Sequence, residues 1–213
     1  MAGSGSILGN SVLRLEDPTL LTGEGKYVDD MVEPGMLHVS FVRSTVAHGN
    51  LVSVDISAAA GMPGVVAVYH SGGDDLGLPT FQGFAMMPET LNRPIFATGK
   101  VRFVGDIVAA VVAETKSQAT DAADAVIVDY DHLPPVTSAT AGLAADAPLL
   151  FPDHGSNVCF GTEFGQDVDP LEGADAVAEV KMVSQRLAGV PMENNGCLAV
   201  PADGQLKIGR AHV

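Results

Sequence analysis

Large apolar side chains alternate with smaller or polar ones along Met36-Leu37-His38-Val39-Ser40-Phe41-Val42-Arg43, a period of two that belongs to a strand with one face turned to a core. Pro34-Gly35 just before it is a turn signal. The alternation returns over residues 51–56, with Leu51, Ser53 and Asp55 on one side and Val52, Val54 and Ile56 on the other. Ser57-Ala58-Ala59-Ala60 predicts a short helix ended by the breakers in Gly61-Met62-Pro63-Gly64, and residues 65–69 read as another strand. Residues 71–98 are rich in Gly, Pro, Asp and Met without a sustained period, a long excursion between strands. Excursions of that length are usually functional or mobile.

Order resumes with Val101-Arg102-Phe103-Val104, Gly105 and residues 107–113, a run whose nearly unbroken apolarity predicts a strand covered on both faces. Thr115 with Gln118 three residues on forms a capping box, expected to satisfy two orphan backbone N–H groups. Behind it Ala119, Ala122, Ala123 and Val126 fall at helical spacing, a small-residue face that lets a helix over 116–125 lie close to a sheet. Residues 126–130 are the next strand, and strand, helix, strand in that order points to an α+β or split βαβ fold. Residues 137–156, rich in Ala, Pro, Gly and Asp, read as a linker. Residues 175–183 read as a strand, and Cys197-Leu198-Ala199-Val200 with Gln205-Leu206-Lys207-Ile208 as a hairpin around Ala202-Asp203-Gly204.

At 213 residues there is room for one core and part of a second. Aromatics are only 5% against 46% hydrophobic residues, and Trp is absent, so that core is built from small and branched aliphatics. The formal charge of -15 would repel a phosphate backbone, which excludes nucleic acid as a partner. No apolar run approaches the roughly 20 residues of a membrane span. Residues 1–9 lack the basic and apolar stretches of a signal peptide, so the cytoplasm is the expected compartment. Cys159 and Cys197 are too few for a disulfide framework.

A search for self-contained chemistry comes back empty. Gly3, Gly5 and Gly9 resemble a dinucleotide loop only loosely and follow no strand, so a terminal tail is the better reading. His38, His48, His70, His132, His154 and His212 share no metal-ligand spacing with one another or with the cysteines. Asp29-Asp30 and Asp129-Tyr130-Asp131 bring carboxylates close, as turns and strand ends commonly do. Glu193 in Pro191-Met192-Glu193-Asn194-Asn195 is the acid to watch, with a hydrogen-bonded loop role favoured over direct chemistry. Met86-Met87-Pro88 is better read as gap filling than as a soft-metal site.

Several segments in colinear order carry a resemblance. Val12-Leu13-Arg14-Leu15-Glu16-Asp17-Pro18, Leu21-Thr22-Gly23-Glu24-Gly25-Lys26-Tyr27-Val28-Asp29-Asp30, Ala47-His48, Pro63-Gly64-Val65-Val66-Ala67-Val68, Val101-Arg102-Phe103-Val104-Gly105 and Leu133-Pro134-Pro135-Val136 resemble the molybdenum-cofactor-binding large subunits of the xanthine dehydrogenase and aldehyde oxidase family, aerobic carbon monoxide dehydrogenase included. The resemblance implies an a/b hammerhead domain of mixed sheet with packed helices over 1–136 and a linker over 137–157. Over 158–207 it implies the truncated start of a cofactor-binding domain, marked by Asn157, Gly165-x-Asp167-Val168, Gln185-Arg186 and Pro191-Met192-Glu193. It also implies an oxidoreductase that transfers water-derived oxygen to carbon monoxide, an aldehyde or an N-heterocycle. Electrons would leave through iron–sulfur clusters and FAD on partner subunits or domains. The family's cofactor contacts and its Glu base fall after Leu206. The resemblance therefore assigns no catalytic, cofactor-binding or metal-ligating residue here, and the 213 residues alone are expected to be inactive.

The rival reading is a stand-alone hammerhead module for assembly or binding. Ile208-Gly209-Arg210-Ala211-His212-Val213 matches one reading frame of a common sequencing adaptor. It is expected to be a non-native tail, with Gly209 interrupting the strand before it.

Overall fold

A computed structural model describes residues 13–210 except 74, 75, 82, 84–86, 163–168, 170, 186, 192 and 194. In chain order the elements are α1 (Asp17–Thr22), β1 (His38–Arg43), β2 (Gly49–Asp55), α2 (Ser57–Ala60), β3 (Val65–His70) and β4 (Lys100–Val101). There follow β5 (Ile107–Ala113), α3 (Lys116–Asp124), β6 (Ile127–His132), α4 (Ala139–Gly142), β7 (Cys197–Ala202) and β8 (Gln205–Arg210). Short 3-10 turns lie at Val28–Asp30, Glu89–Leu91 and Pro152–His154. The elements fall into two compact units, residues 35–170 and residues 1–34 with 171–213.

In the unit of residues 35–170, two three-stranded sheets run β1-β5-β3 and β4-β2-β6, each ladder antiparallel. The most apolar strand is central in its sheet: β5 pairs Phe41 with Ala110 on one flank and Val68 with Val111 on the other. Val111 belongs to a cluster with Ala59, Ala122, Ala123 and Val126 beneath α3, while Val108 belongs to a second with Ala97 and Val101. Residues three apart on a strand face opposite ways, so β5 is covered on both faces as its composition predicts. Ala119, Ala122 and Ala123 are the buried residues of α3. The α+β class and the small-residue helix face are thus as the periodicity requires.

Local chemistry changes four details. The β2 register shifts between Leu51 and Ser53, a bulge that leaves Val52 exposed while Leu51 and Val54 both pack on the core, so the simple alternation fails there. Of the ordered stretch at residues 101–104 only Val101 lies in a strand. Arg102 N–H turns to the Asp106 carboxylate at 3.2 Å and Asp106 N–H to the Phe103 carbonyl at 3.2 Å, which makes a turn. At α3 the Thr115 hydroxyl oxygen accepts the Gln118 N–H at 3.2 Å, but its own proton goes to the Gln118 side-chain oxygen at 2.8 Å. One orphan N–H is therefore satisfied by the box and not two. The Gln118 amide lies against Gly64, where a Cβ would collide with it, and Gly64 also has φ +80°. Finally, residues 137–156 contain α4, capped by the Ser138 hydroxyl, and the Pro152–His154 turn.

In the other unit, Pro18 opens α1 and Gly23 follows its end, a helix signal of Pro inside the start and Gly past the end. β7 and β8 pair from Ala202 with Gln205 to Cys197 with Arg210. Asp203 (φ 49°) and Gly204 (φ 75°) form the two-residue loop, the left-handed pair that matches strand twist. The ladder includes Gly209 opposite Leu198, so this glycine does not interrupt it: a ladder is made of backbone groups, which Gly possesses. The strand expected over 175–183 does not form. No described strand lies beside it to accept its N–H groups, and Val177, Val180, Met182 and Val183 are all exposed.

Candidate functional site

Among the described residues of the unit of residues 35–170, three polar side chains are buried: Ser44, His48 and Asp106. Ser44 N–H donates to the Asp106 carbonyl and Gly105 N–H to the Ser44 carbonyl, both at 2.8 Å, while the Ser44 hydroxyl donates to the Val46 carbonyl at 2.8 Å. The Asp106 carboxylate takes the Arg102 N–H and faces the Arg93 guanidinium at 3.6 Å. Arg93 sits 4.8 Å from the Phe103 ring centroid, and Arg102 sits 4.5 Å from that of Phe151. Burial pushes the Arg102 pKa below its ordinary value, partly offset by the Asp106 charge; an arginine keeps its proton throughout the working range nonetheless. His48 lies 2.8 Å through Nδ1 from the Pro134 carbonyl. A carbonyl only accepts, so Nδ1 carries a proton, and Nε2 is buried with no partner among the described residues. Every other group in this junction is spent on holding loops together. Among the described residues of this junction no nucleophile stands beside a base.

Among the described residues, one cleft of about 230 Å³ lies in the unit of residues 35–170 and another of like volume in the other unit. In residues 35–170, His70, Ser71, Leu76, Leu78, Phe96 and Thr98 line a hollow of mixed polarity, with His70 Nδ1 accepting the Gly72 N–H at 3.1 Å. In the other unit the cleft is walled by the Val28–Asp30 turn, Glu193 and Asn195. There Glu193 Oε1 accepts the Val28 N–H at 2.7 Å and Asp30 Oδ2 accepts the Tyr27 N–H at 2.9 Å. Glu193 thus has the hydrogen-bonded loop geometry favoured for it, with a partner 165 residues away that no local pattern could reveal.

The remaining candidates scatter. Asp131 accepts from the Asn50 side chain at 3.1 Å on an exposed face, and Asp129 is exposed on the same strand. Asp55, which the motif search passed over, accepts the Ser57 N–H at the start of α2; bonds from the Ser57 hydroxyl and N–H hold its carboxyl below the usual range. His154 Nε2 lies 2.9 Å from the Val158 carbonyl and Nδ1 2.9 Å from the Thr90 hydroxyl. Cys159 and Cys197 are free and exposed. Met87 lies against Gly83. Among the described residues no three His, Cys, Asp or Glu side chains are grouped to hold a metal, and no helix is long and apolar enough to cross a membrane. Gly3, Gly5, Gly9, Met86, Gly165, Asp167, Val168, Arg186, Met192, Asn194 and His212 lie outside the described residues.

Two antiparallel sheets around a doubly covered central strand, closed by one small-faced helix, define the class of domain. Residues 22–134 match the model of the aldehyde oxidase and xanthine dehydrogenase a/b hammerhead domain. The chain belongs to that family. The nicotine 6-hydroxylase large subunit of Paenarthrobacter nicotinovorans is 36% identical over 91% of this chain and 24% of its own length. The carbon monoxide dehydrogenase large chain of Afipia carboxidovorans is 35% identical over 87% of this chain and 24% of its own. Among solved structures, the aldehyde oxidoreductase of Desulfovibrio gigas superposes with a TM-score of 0.78 at 29% identity, over 92% of this chain and 23% of that one. The chain spans about a quarter of the length of these relatives.

Proposed function

We propose that these residues form the opening part of the large, molybdenum-cofactor-binding subunit of a hydroxylase working in the cytoplasm. The observation that carries this reading is the likeness to large subunits over 91% and 87% of the chain, which extends well beyond the hammerhead match at 22–134. In the whole enzyme, water-derived oxygen is added to a carbon centre and electrons leave through iron–sulfur and flavin partners. Relatives named for nicotine and for carbon monoxide are almost equally similar, at 36% and 35%. Overall identity therefore does not choose among carbon monoxide, aldehyde and N-heterocycle substrates.

The described residues do not fit the cofactor itself. A phosphate-bearing pterin needs N–H donors or cations around its anionic end. One cleft is walled by Asp29, Asp30 and Glu193, and the other has no Lys or Arg in its lining. The part of these residues is scaffolding, with orientation of the cofactor left to residues elsewhere in the enzyme. The test is to express the 213-residue chain with the cofactor supplied and measure bound metal. Molybdenum far below one per chain is expected, and one per chain would overturn the assignment of these residues to scaffold.

A further inference from the structure

We propose that residues 143–158 are a fastened strap and not a free tether, with Arg102 as the positioning residue that fastens them. Composition alone gives a flexible connector, since Ala, Gly, Pro and Asp supply little to pack. The geometry differs. Arg102 Nε–H donates to the Leu150 carbonyl at 2.9 Å, its guanidinium lies over the next side chain, Phe151, and its Nη1 reaches back to the Lys100 carbonyl at 3.4 Å. One planar group therefore joins β4 to the strap, and Asp106 holds the Arg102 backbone from the other side. A second tie lies further on: His154 Nε2–H donates to the Val158 carbonyl, which leaves Nδ1 to accept the Thr90 hydroxyl proton in the turn that buries Leu91. Asn157 braces the strap internally, its oxygen accepting the Leu150 N–H at 3.1 Å and its amide donating to the carbonyls of Gly142 and Pro148.

Two ties and one brace hold the strap to β4 and to the Glu89–Leu91 turn of its own unit. A segment held at these points samples far fewer conformations than a free linker of the same length. The fork matters as much as the charge. A lysine ammonium is a point donor that cannot lie flat on Phe151 while reaching two carbonyls. The inference does not depend on the molybdenum reading and survives or fails separately.

Hydrogen exchange on the 213-residue chain tests it. In Arg102→Leu the amides of Ala147, Leu150, His154 and Gly155 should lose at least about tenfold in protection, while those of Val108 and Val111 in β5 keep theirs. Arg102→Lys should show the same loss. Phe151→Leu should loosen the strap in part, and Phe151→Trp, which restores a ring for the cation, should hold it. Unchanged strap protection in Arg102→Leu, or full protection in Arg102→Lys, overturns the proposal. If Arg102→Leu also unprotects β5, Phe151→Leu decides: loss confined to the strap supports it and no change refutes it.

Discussion

Ala122 has no exposed surface, and it stands on the face of α3 that meets β5 and β1. Leucine there has nowhere to go, and Ala122→Leu should cost about 1–3 kcal/mol by overpacking, read as a lower denaturation midpoint with an unchanged slope. An unaltered midpoint would contradict the packing. Gly64 is constrained twice, by its left-handed backbone and by Gln118 against its α carbon. Gly64→Ala should therefore destabilise by about 1 kcal/mol or more, measured in the same way. Asp55 works through charge. Its folded pKa is lowered, so its contribution is fully present above the unfolded value of about 3.9 and is lost as pH falls through the folded value. Asp55→Asn should melt slightly below the parent at neutral pH, and the gap should close in acid; a gap independent of pH would remove the electrostatic account.

The elements divide by where their partners lie. α3 carries its instructions locally, in Thr115, Gln118 and the alanines, and both its position and its buried face were legible in the chain. α1 was not read from the chain: Pro18 and Gly23 mark its ends, but its six residues are too few to show a period. The bulge in β2 and the turn at residues 102–106 were not legible, because the first is imposed by pairing with β6 and the second by a carboxylate meeting a backbone N–H across a turn. At the hairpin, Gly204→Val should cost about 1–2 kcal/mol, since a β-branched residue resists the left-handed region. Faster exchange of the Val200 and Lys207 amides would report it. Residues 175–183, alternating but unpaired, should exchange near the rate of an unfolded chain while β5 exchanges slowest. Comparable protection in the two would mean that the segment does find a partner strand.

For the molecule as a whole, a charge of -15 predicts behaviour toward polyanions. No retention on double-stranded DNA is expected even at about 50 mM salt, where phosphate contacts are strong. Retention there would reveal a local cationic face that the net charge conceals. The arginines of the buried junction do not supply one, as Arg93 faces Asp106 and Arg102 is turned to carbonyls and a ring.

What the sequence by itself determined was everything encoded by short-range period and by order along the chain: the doubly covered β5, the alanine face of α3, the Asp-Gly hairpin, and a family likeness spread over colinear segments. Tertiary structure alone decided which distant groups meet. Glu193 finds Val28, His48 finds Pro134, and Arg102 finds Leu150 and Phe151. Periodicity reports how a segment presents one face to a core, but a hydrogen bond between residues 48 to 165 positions apart depends on where the intervening chain has been folded. No local pattern of side chains specifies that.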